Sequence, residues 1–289
     1  MSATIAPLPP GPVDLRDLPT DPEARLAAAG AEEPRDKASG ATALAALGPA
    51  LAQAQERLFA HGRSGGARRV LMVLQGMDTS GKGGTIRSVL GLVDPQGVAI
   101  TSFGAPTEQE RAHDFLWRIE RALPVPGRIG VFDRSHYEDV LVPVVRASID
   151  AAERERRLAA IRDFEQRLVD DGVVLLKVFL HVGLAEQRAR LLARLDDPAK
   201  HWKYSPDDLV DRARWSDFQA AYEVALGSTG TPHAPWHVVP ADRKWYRNLA
   251  VGRLLLSALE GMGLDWPAAD YDVAEQRRLL LATEPEGGR

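Results

Sequence analysis

The chain reads as an α/β protein of three layers, a mostly parallel five-stranded sheet covered by helices on both faces. Three observations predict this. Apolar runs of strand length recur at 69–75, 98–102, 128–132, 173–181 and 236–239. Stretches of helical periodicity lie between and after them, at about 82–92, 107–122, 151–170, 184–195, 206–226 and 244–262. A glycine-rich turn with an embedded lysine follows the first run directly. Strand and helix alternating in this way imply parallel pairing, because each crossover helix returns the chain to the same edge direction.

Taken in order, residues 1–40 are rich in Pro, Ala and charge with little periodicity, which predicts an extended or partly ordered arm. Leu44, Leu47, Leu51 and Leu58 repeat at near-helical spacing and predict one amphipathic helix before the first strand. Residues 41–270 form the body, and 271–289 read as a tail, frayed from Thr283 onward. No internal repeat is visible.

The most informative segment is Gly76-Met77-Asp78-Thr79-Ser80-Gly81-Lys82-Gly83-Gly84, behind Val70-Leu71-Met72-Val73-Leu74. A strand entering such a turn and leaving as a helix is a phosphate cradle. Its glycines let several N–H groups point into one concavity, and Lys82 adds positive charge. Gly76, Thr79, Ser80, Gly81, Lys82, Gly83 and Gly84 are therefore candidate phosphate-binding residues. The bland reading is a strand-to-helix turn with an exposed lysine.

The usual motif places a Ser or Thr after the lysine to hold Mg²⁺. Here Gly83 stands there, and Thr85 comes too late in the chain to replace it. Asp78 lies inside the loop, where a carboxylate would repel phosphate unless a cation sat between them, so Asp78 is a candidate Mg²⁺ ligand. Asp133 closes the third apolar run and is the second candidate, with helix capping as the competing reading. Arg134 points at the same mouth as a candidate phosphate clamp. Lys82, Asp78, Asp133, Arg134 and Arg194 form the expected catalytic set.

Between two predicted helices lies Asp196-Asp197-Pro198-Ala199-Lys200-His201-Trp202-Lys203-Tyr204-Ser205-Pro206-Asp207-Asp208, polar and basic. It follows Arg190 and Arg194, which share a helical face. The whole region, about 190–212, reads as a lid that would exclude water and deliver Arg190, Arg194, Lys200 and Lys203 to phosphate. A plain surface loop is the alternative. Arg118 could face the same channel. The loop Ala241-Asp242-Arg243-Lys244 follows the last strand, a position for contacts to a nucleotide base.

Composition narrows the classes. The 289 residues contain no cysteine, which excludes disulfides, thiolate metal sites and cysteine nucleophiles. A net charge of −4 argues against a general nucleic-acid binder. No run approaches the ~20 apolar residues of a membrane span, and no secretory signal is seen at the N-terminus, so a cytoplasmic location is expected. No histidine set has metal-ligand spacing.

Taken together, several segments resemble the polyphosphate kinase 2 family over roughly residues 45–265. They are the loop 76–84, Pro106-Thr107 with His113-Asp114-Phe115-Leu116-Trp117-Arg118, and Phe132-Asp133-Arg134-Ser135-His136-Tyr137-Glu138-Asp139-Val140-Leu141. The segments Asp197-Pro198-Ala199-Lys200-His201-Trp202-Lys203 and Ala234-Pro235-Trp236 match as well. The resemblance implies a P-loop kinase-like fold with a helical lid. It further implies Mg²⁺-dependent phosphoryl transfer between inorganic polyphosphate and purine nucleotides, and assembly as a homodimer or homotetramer. By that pattern Asp78 and Asp133 look like the metal ligands, Lys82 and Arg134 meet the phosphates, Arg87 and Arg118 line a polyphosphate channel, and Arg190 or Arg194 supplies the closing charge. The stretch 137–141 looks most like members accepting both AMP and ADP. Rival readings are an ATP-dependent nucleotide or small-molecule kinase and a non-catalytic phosphate binder.

Overall fold

A computed structural model of the protein describes residues 5–30 and 32–283. The sheet has five strands, β1 (Arg69–Gln75), β2 (Val98–Ser102), β3 (Ile129–Asp133), β4 (Val173–His181) and β5 (Trp236–Pro240), in the order β2-β3-β1-β4-β5. Every pair is parallel, so the sheet is wholly rather than mostly so. β1 is buried along its whole length, as a strand covered on both faces must be. The helices Lys37–Ala46, Gly48–Arg63, Lys82–Leu90 and Lys244–Glu260 pack together, and Glu138–Val145, Ala151–Asp170 and Trp215–Thr229 form a second group. The described core is one continuous cluster of buried apolar side chains.

Topology decides where a ligand can sit. From β1 the chain passes beyond β3 to reach β2, whereas from β3 it passes back beyond β1 to reach β4. The two crossovers leave in opposite directions, and this opens a crevice at the carboxyl ends of β1 and β3. Register aligns those ends, with Leu74 opposite Asp133 and Asp133 opposite Ser102.

Several elements depart from the sequence expectation. The single helix through Leu44–Leu58 is two, because Pro49 in the first turn of Gly48–Arg63 has no N–H to continue a preceding helix. The stretch 107–122 holds two short helices, Glu108–Arg111 and Trp117–Glu120, and 206–226 breaks at Arg214. The helix Glu138–Val145 was not expected, since Val140, Val142, Val144 and Val145 with Pro143 favour strand or loop locally. The described part of the first forty residues lies against the body. Leu8 N–H donates to Trp236 O (2.6 Å), and Ile5 and Leu15 are buried. This covers the β5 edge. Of the expected frayed tail 283–289, residues 284–289 lie outside the described residues, while Thr283 caps Val273–Ala282, a helix with no buried residue.

Beneath the Asp133–Tyr137 turn lies a buried ionic network. Lys177 Nζ is 2.6 Å from Glu165 Oε2 and also donates to Thr229 O (2.8 Å). The Tyr137 hydroxyl donates to Glu165 Oε1 (2.6 Å), and His136 Nε2 lies 3.3 Å from the same oxygen. Burial opposes charge on Glu165, but Lys177 and then His136 hold its carboxyl below the usual range. Glu165→Gln should therefore destabilise the protein by about 3–5 kcal/mol, because it leaves the Lys177 ammonium buried without a countercharge. Urea unfolding measures this, and a change below about 1 kcal/mol would contradict it.

Candidate active site

The loop after β1 and the turn after β3 meet in the crevice. Two residues other than glycine there adopt left-handed backbone, Thr79 (φ 64°) and Arg134 (φ 65°). Each costs on the order of 1–3 kcal/mol, strain that clusters at functional sites. The helix Lys82–Leu90 starts at the end of the loop with Gly81 as its cap, so its first N–H groups open toward the crevice.

Lys82 is buried, and its ammonium donates to Gly76 O at 2.7 Å. Burial lowers its pKa first, and Arg134 lowers it further; Asp78, Asp133 and Glu138 act in the opposite sense. Three carboxylates and one guanidinium thus surround one ammonium. Arg134 Nη2 lies 2.8 Å from Asp78 Oδ1. Burial opposes the charge of Arg134, yet Glu138 and Asp78 hold it protonated far above neutrality. Glu138 is raised by burial, countered by Arg134 and Lys82. Oriented with its NH₂ on Glu138 Oε1 (3.1 Å) and its oxygen on Ser135 N–H (3.1 Å), the Gln75 amide locks Glu138 to the β3 turn.

Asp133 ends β3 and does not cap the following helix, which starts at Glu138 with Tyr137 as its cap residue. The Thr85 hydroxyl faces Asn248 Oδ1 (3.3 Å), away from the loop. The buried hydroxyls of Thr79 and Ser80 have no protein partner. Asp78 and Asp133 supply oxygen donors that suit Mg²⁺, which takes one or two carboxylates and completes its shell with phosphate and water. No cluster of three or more acidic or histidine ligands occurs among the described residues. Two carboxylates suit a metal held jointly with phosphate.

The other expected residues are spread more widely. Arg190 is buried, and all three guanidinium nitrogens are engaged by Glu186 and by the carbonyls of Thr79, Ser80, Ala241 and Asp242. Arg194 donates to Lys203 O (2.8 Å) and lies 3.3 Å from Asp208, inside the lid-like segment. There Lys200 pairs with Asp197 at 2.7 Å, and Lys203 lies over the exposed Trp202 ring. Arg87 is exposed on its helix. Arg118 is bound to Asp139 (3.1 Å) and Gly104 O (2.9 Å) and lines two neighbouring cavities of about 320 and 360 Å³. In the loop after β5, Asp242 caps Gly183 N–H and Arg243 pairs with Asp21.

Sequence reasoning passed over Glu138, Asp211, Tyr222, Gln187 and Arg247. Glu138, Asp211 and Tyr222 line a cavity of about 40 Å³ with Gly76, Asp78 and Arg134. Gln187 and Arg247 reach the loop from distant helices, at Asp78 O (3.3 Å) and Ser80 O (2.9 Å). Only Glu138 had a local signal, its position one turn beyond Arg134.

A parallel sheet with a lysine-bearing phosphate loop, and a carboxylate at the end of the adjacent strand, defines a P-loop phosphotransferase. The family model described as polyphosphate kinase 2 matches residues 35–265, and the chain belongs to that family. It is 47% identical over 231 residues to the AMP/ADP-polyphosphate phosphotransferase of Meiothermus ruber, covering 80% of this chain and 85% of that protein. It is 37% identical over 205 residues to the GDP-polyphosphate phosphotransferase of Mycobacterium tuberculosis, covering 71% and 69%. The crystal structure of polyphosphate kinase 2 from Arthrobacter aurescens TC1 superposes with a TM-score of 0.85 at 54% identity, covering 89% of this chain and 93% of that one. Among the described residues no helix is long and apolar enough to cross a membrane.

Proposed function

We propose that this chain transfers phosphoryl groups reversibly between inorganic polyphosphate and nucleoside mono- and diphosphates, forming ADP and ATP from AMP and ADP. The observation that carries this reading is the buried Lys82 ammonium among Asp78, Asp133, Glu138 and Arg134 at the β1/β3 crevice. Membership of the family, with relatives named for AMP, ADP and GDP, supports the substrate class. The acceptor's terminal phosphate oxygen attacks the end phosphorus of polyphosphate. The bond to the next bridging oxygen breaks, and the chain departs one phosphate shorter. Phosphate oxygens are already ionised at neutral pH, so no general base is required, and positioning with charge stabilisation carries the rate. Lys82 and Arg134 meet the charge on the transferred group. Asp78 and Asp133 would hold Mg²⁺, which neutralises charge on the bridging phosphates when bound. The exposed leucines of the helix Val273–Ala282, with Leu280 at 75%, support a homo-oligomer.

The test is direct. Purified protein with MgCl₂ and polyphosphate is offered AMP, ADP, GMP and GDP separately, and products are identified chromatographically. Formation of diphosphate or triphosphate is expected. Activity only with ATP as donor would instead favour an ordinary nucleotide kinase. The acid limb of the pH profile should start at a higher pH than an ordinary glutamate sets, because burial makes Glu138 take up its proton early. Below that point Arg134 loses a countercharge, and turnover falls. In Glu138→Gln the limb should move or vanish; an unchanged limb would contradict the assignment.

A further inference from the structure

The backbone carbonyls of the phosphate loop are held one after another by side chains. Lys82 Nζ reaches Gly76 O (2.7 Å) and, more distantly, Met77 O (3.5 Å). Gln187 reaches Asp78 O (3.3 Å), and Arg190 Nη1 reaches Thr79 O (2.8 Å). Ser80 O takes two guanidinium groups, Arg190 Nη1 at 3.1 Å and Arg247 Nη1 at 2.9 Å. A trans peptide carries its N–H opposite its C=O. Two arginines pulling Thr79 O and Ser80 O outward therefore turn the N–H groups of Ser80 and Gly81 the other way. The Ser80 N–H closes the inner turn on Met77 O (3.0 Å). The Gly81 N–H has no acceptor among the described residues.

Both arginines spend their hydrogen bonds on backbone carbonyls and neighbouring side chains. Arg247 is 3% exposed, and its remaining partner is the neutral Asn248 Oδ1. Burial, and then Arg190, push its pKa down to about 9. Gly81 (φ 105°) is tied to it sterically, since a Cβ there would stand 1.8 Å from Arg247 Nη1. Arg190 also spans to Ala241 O (2.6 Å) and Asp242 O (3.0 Å), so the loop after β5 is joined to the same clamp.

We propose that Arg190 and Arg247 are positioning residues that grip the phosphate loop by its outward carbonyls and so preset its turn and its open Gly81 N–H for a condensed phosphate. This rests on the reading of the loop as the phosphate site. It changes the part expected of Arg190, which acts from behind the loop. Arg190 also lies on the helix Leu184–Leu195 that leads into the lid-like segment, so the same clamp ties that helix to the loop.

The test compares wild type with Arg247→Ala and Arg247→Met. Binding of Mg-tripolyphosphate is measured by calorimetry, and kcat and KM for polyphosphate are measured separately. Affinity and kcat should fall by about 10- to 100-fold, the scale seen when residues orienting a site from behind are removed, with far-UV circular dichroism unchanged. Millimolar methylguanidinium should restore turnover to Arg247→Ala, and sodium chloride at equal ionic strength should not. A merely structural arginine would not respond to that addition. A folded Arg247→Met protein within twofold of wild type in affinity and kcat overturns the proposal. So does a loss in folded Arg247→Ala that methylguanidinium leaves unchanged. If the alanine variant does not fold, the methionine variant decides alone. A wild type that binds tripolyphosphate yet transfers nothing sinks the proposed activity and leaves the clamp standing. One that binds none overturns both.

Discussion

Replacing Lys82 with alanine is expected to cut phosphoryl transfer by about 10³-fold or more, the scale of losing a charge aimed at a transferring phosphoryl group. The protein should stay folded and be no less stable. The side chain is buried, its charge is disfavoured by removal from water and by Arg134, and in the free protein it donates to Gly76 O and, more weakly, to Met77 O. Removing the ammonium costs those bonds and its attraction to Asp78, Asp133 and Glu138, but relieves the larger desolvation and the repulsion from Arg134. Function and stability should therefore part company. Steady-state transfer from polyphosphate and a thermal melt check both halves, and near wild-type turnover in Lys82→Ala would remove the centre of the proposed site.

The second large effect is expected at Asp133. Its side chain ends β3, where pairing with Leu74 and Ser102 is made by backbone groups, so Asp133→Ala should leave the sheet intact. Turnover should fall by at least about 10²-fold at ordinary Mg²⁺ concentrations, since one of two metal carboxylates is gone and Asp78 with phosphate must retain the ion. A magnesium titration separates this from Lys82→Ala. Raising MgCl₂ should recover part of the activity in Asp133→Ala and none in Lys82→Ala. Identical magnesium dependence in wild type and Asp133→Ala would contradict the metal role.

Short-range chemistry made much of this protein readable from the chain. The β1–loop–helix unit around Lys82 is local, and its glycines, flanking apolar run and lysine lie within about fifteen residues of one another. Asp133 and Arg134 were found in the same way, at the end of a recognisable strand. The helix Glu138–Val145 was hidden because its valines and Pro143 speak for another local structure, and only packing against Trp215–Thr229 and Ala151–Asp170 overrules them. Mostly parallel pairing followed from alternation, and the structure makes it complete. That the β1 and β3 ends share one crevice followed only from the strand order.

The chain by itself determined the phosphate loop, the two aspartates and the alternating layers, because each depends on residues near one another in sequence. Tertiary structure alone decided which arginines reach the carbonyls of that loop. Arg190 and Arg247 arrive from helices more than one hundred residues away; Arg190 was expected only as a lid charge, and nothing around Arg247 in the chain distinguishes it from solvated surface charge. A guanidinium's role is set by which carbonyl or carboxylate it meets, and that meeting exists only once the sheet has brought distant segments together.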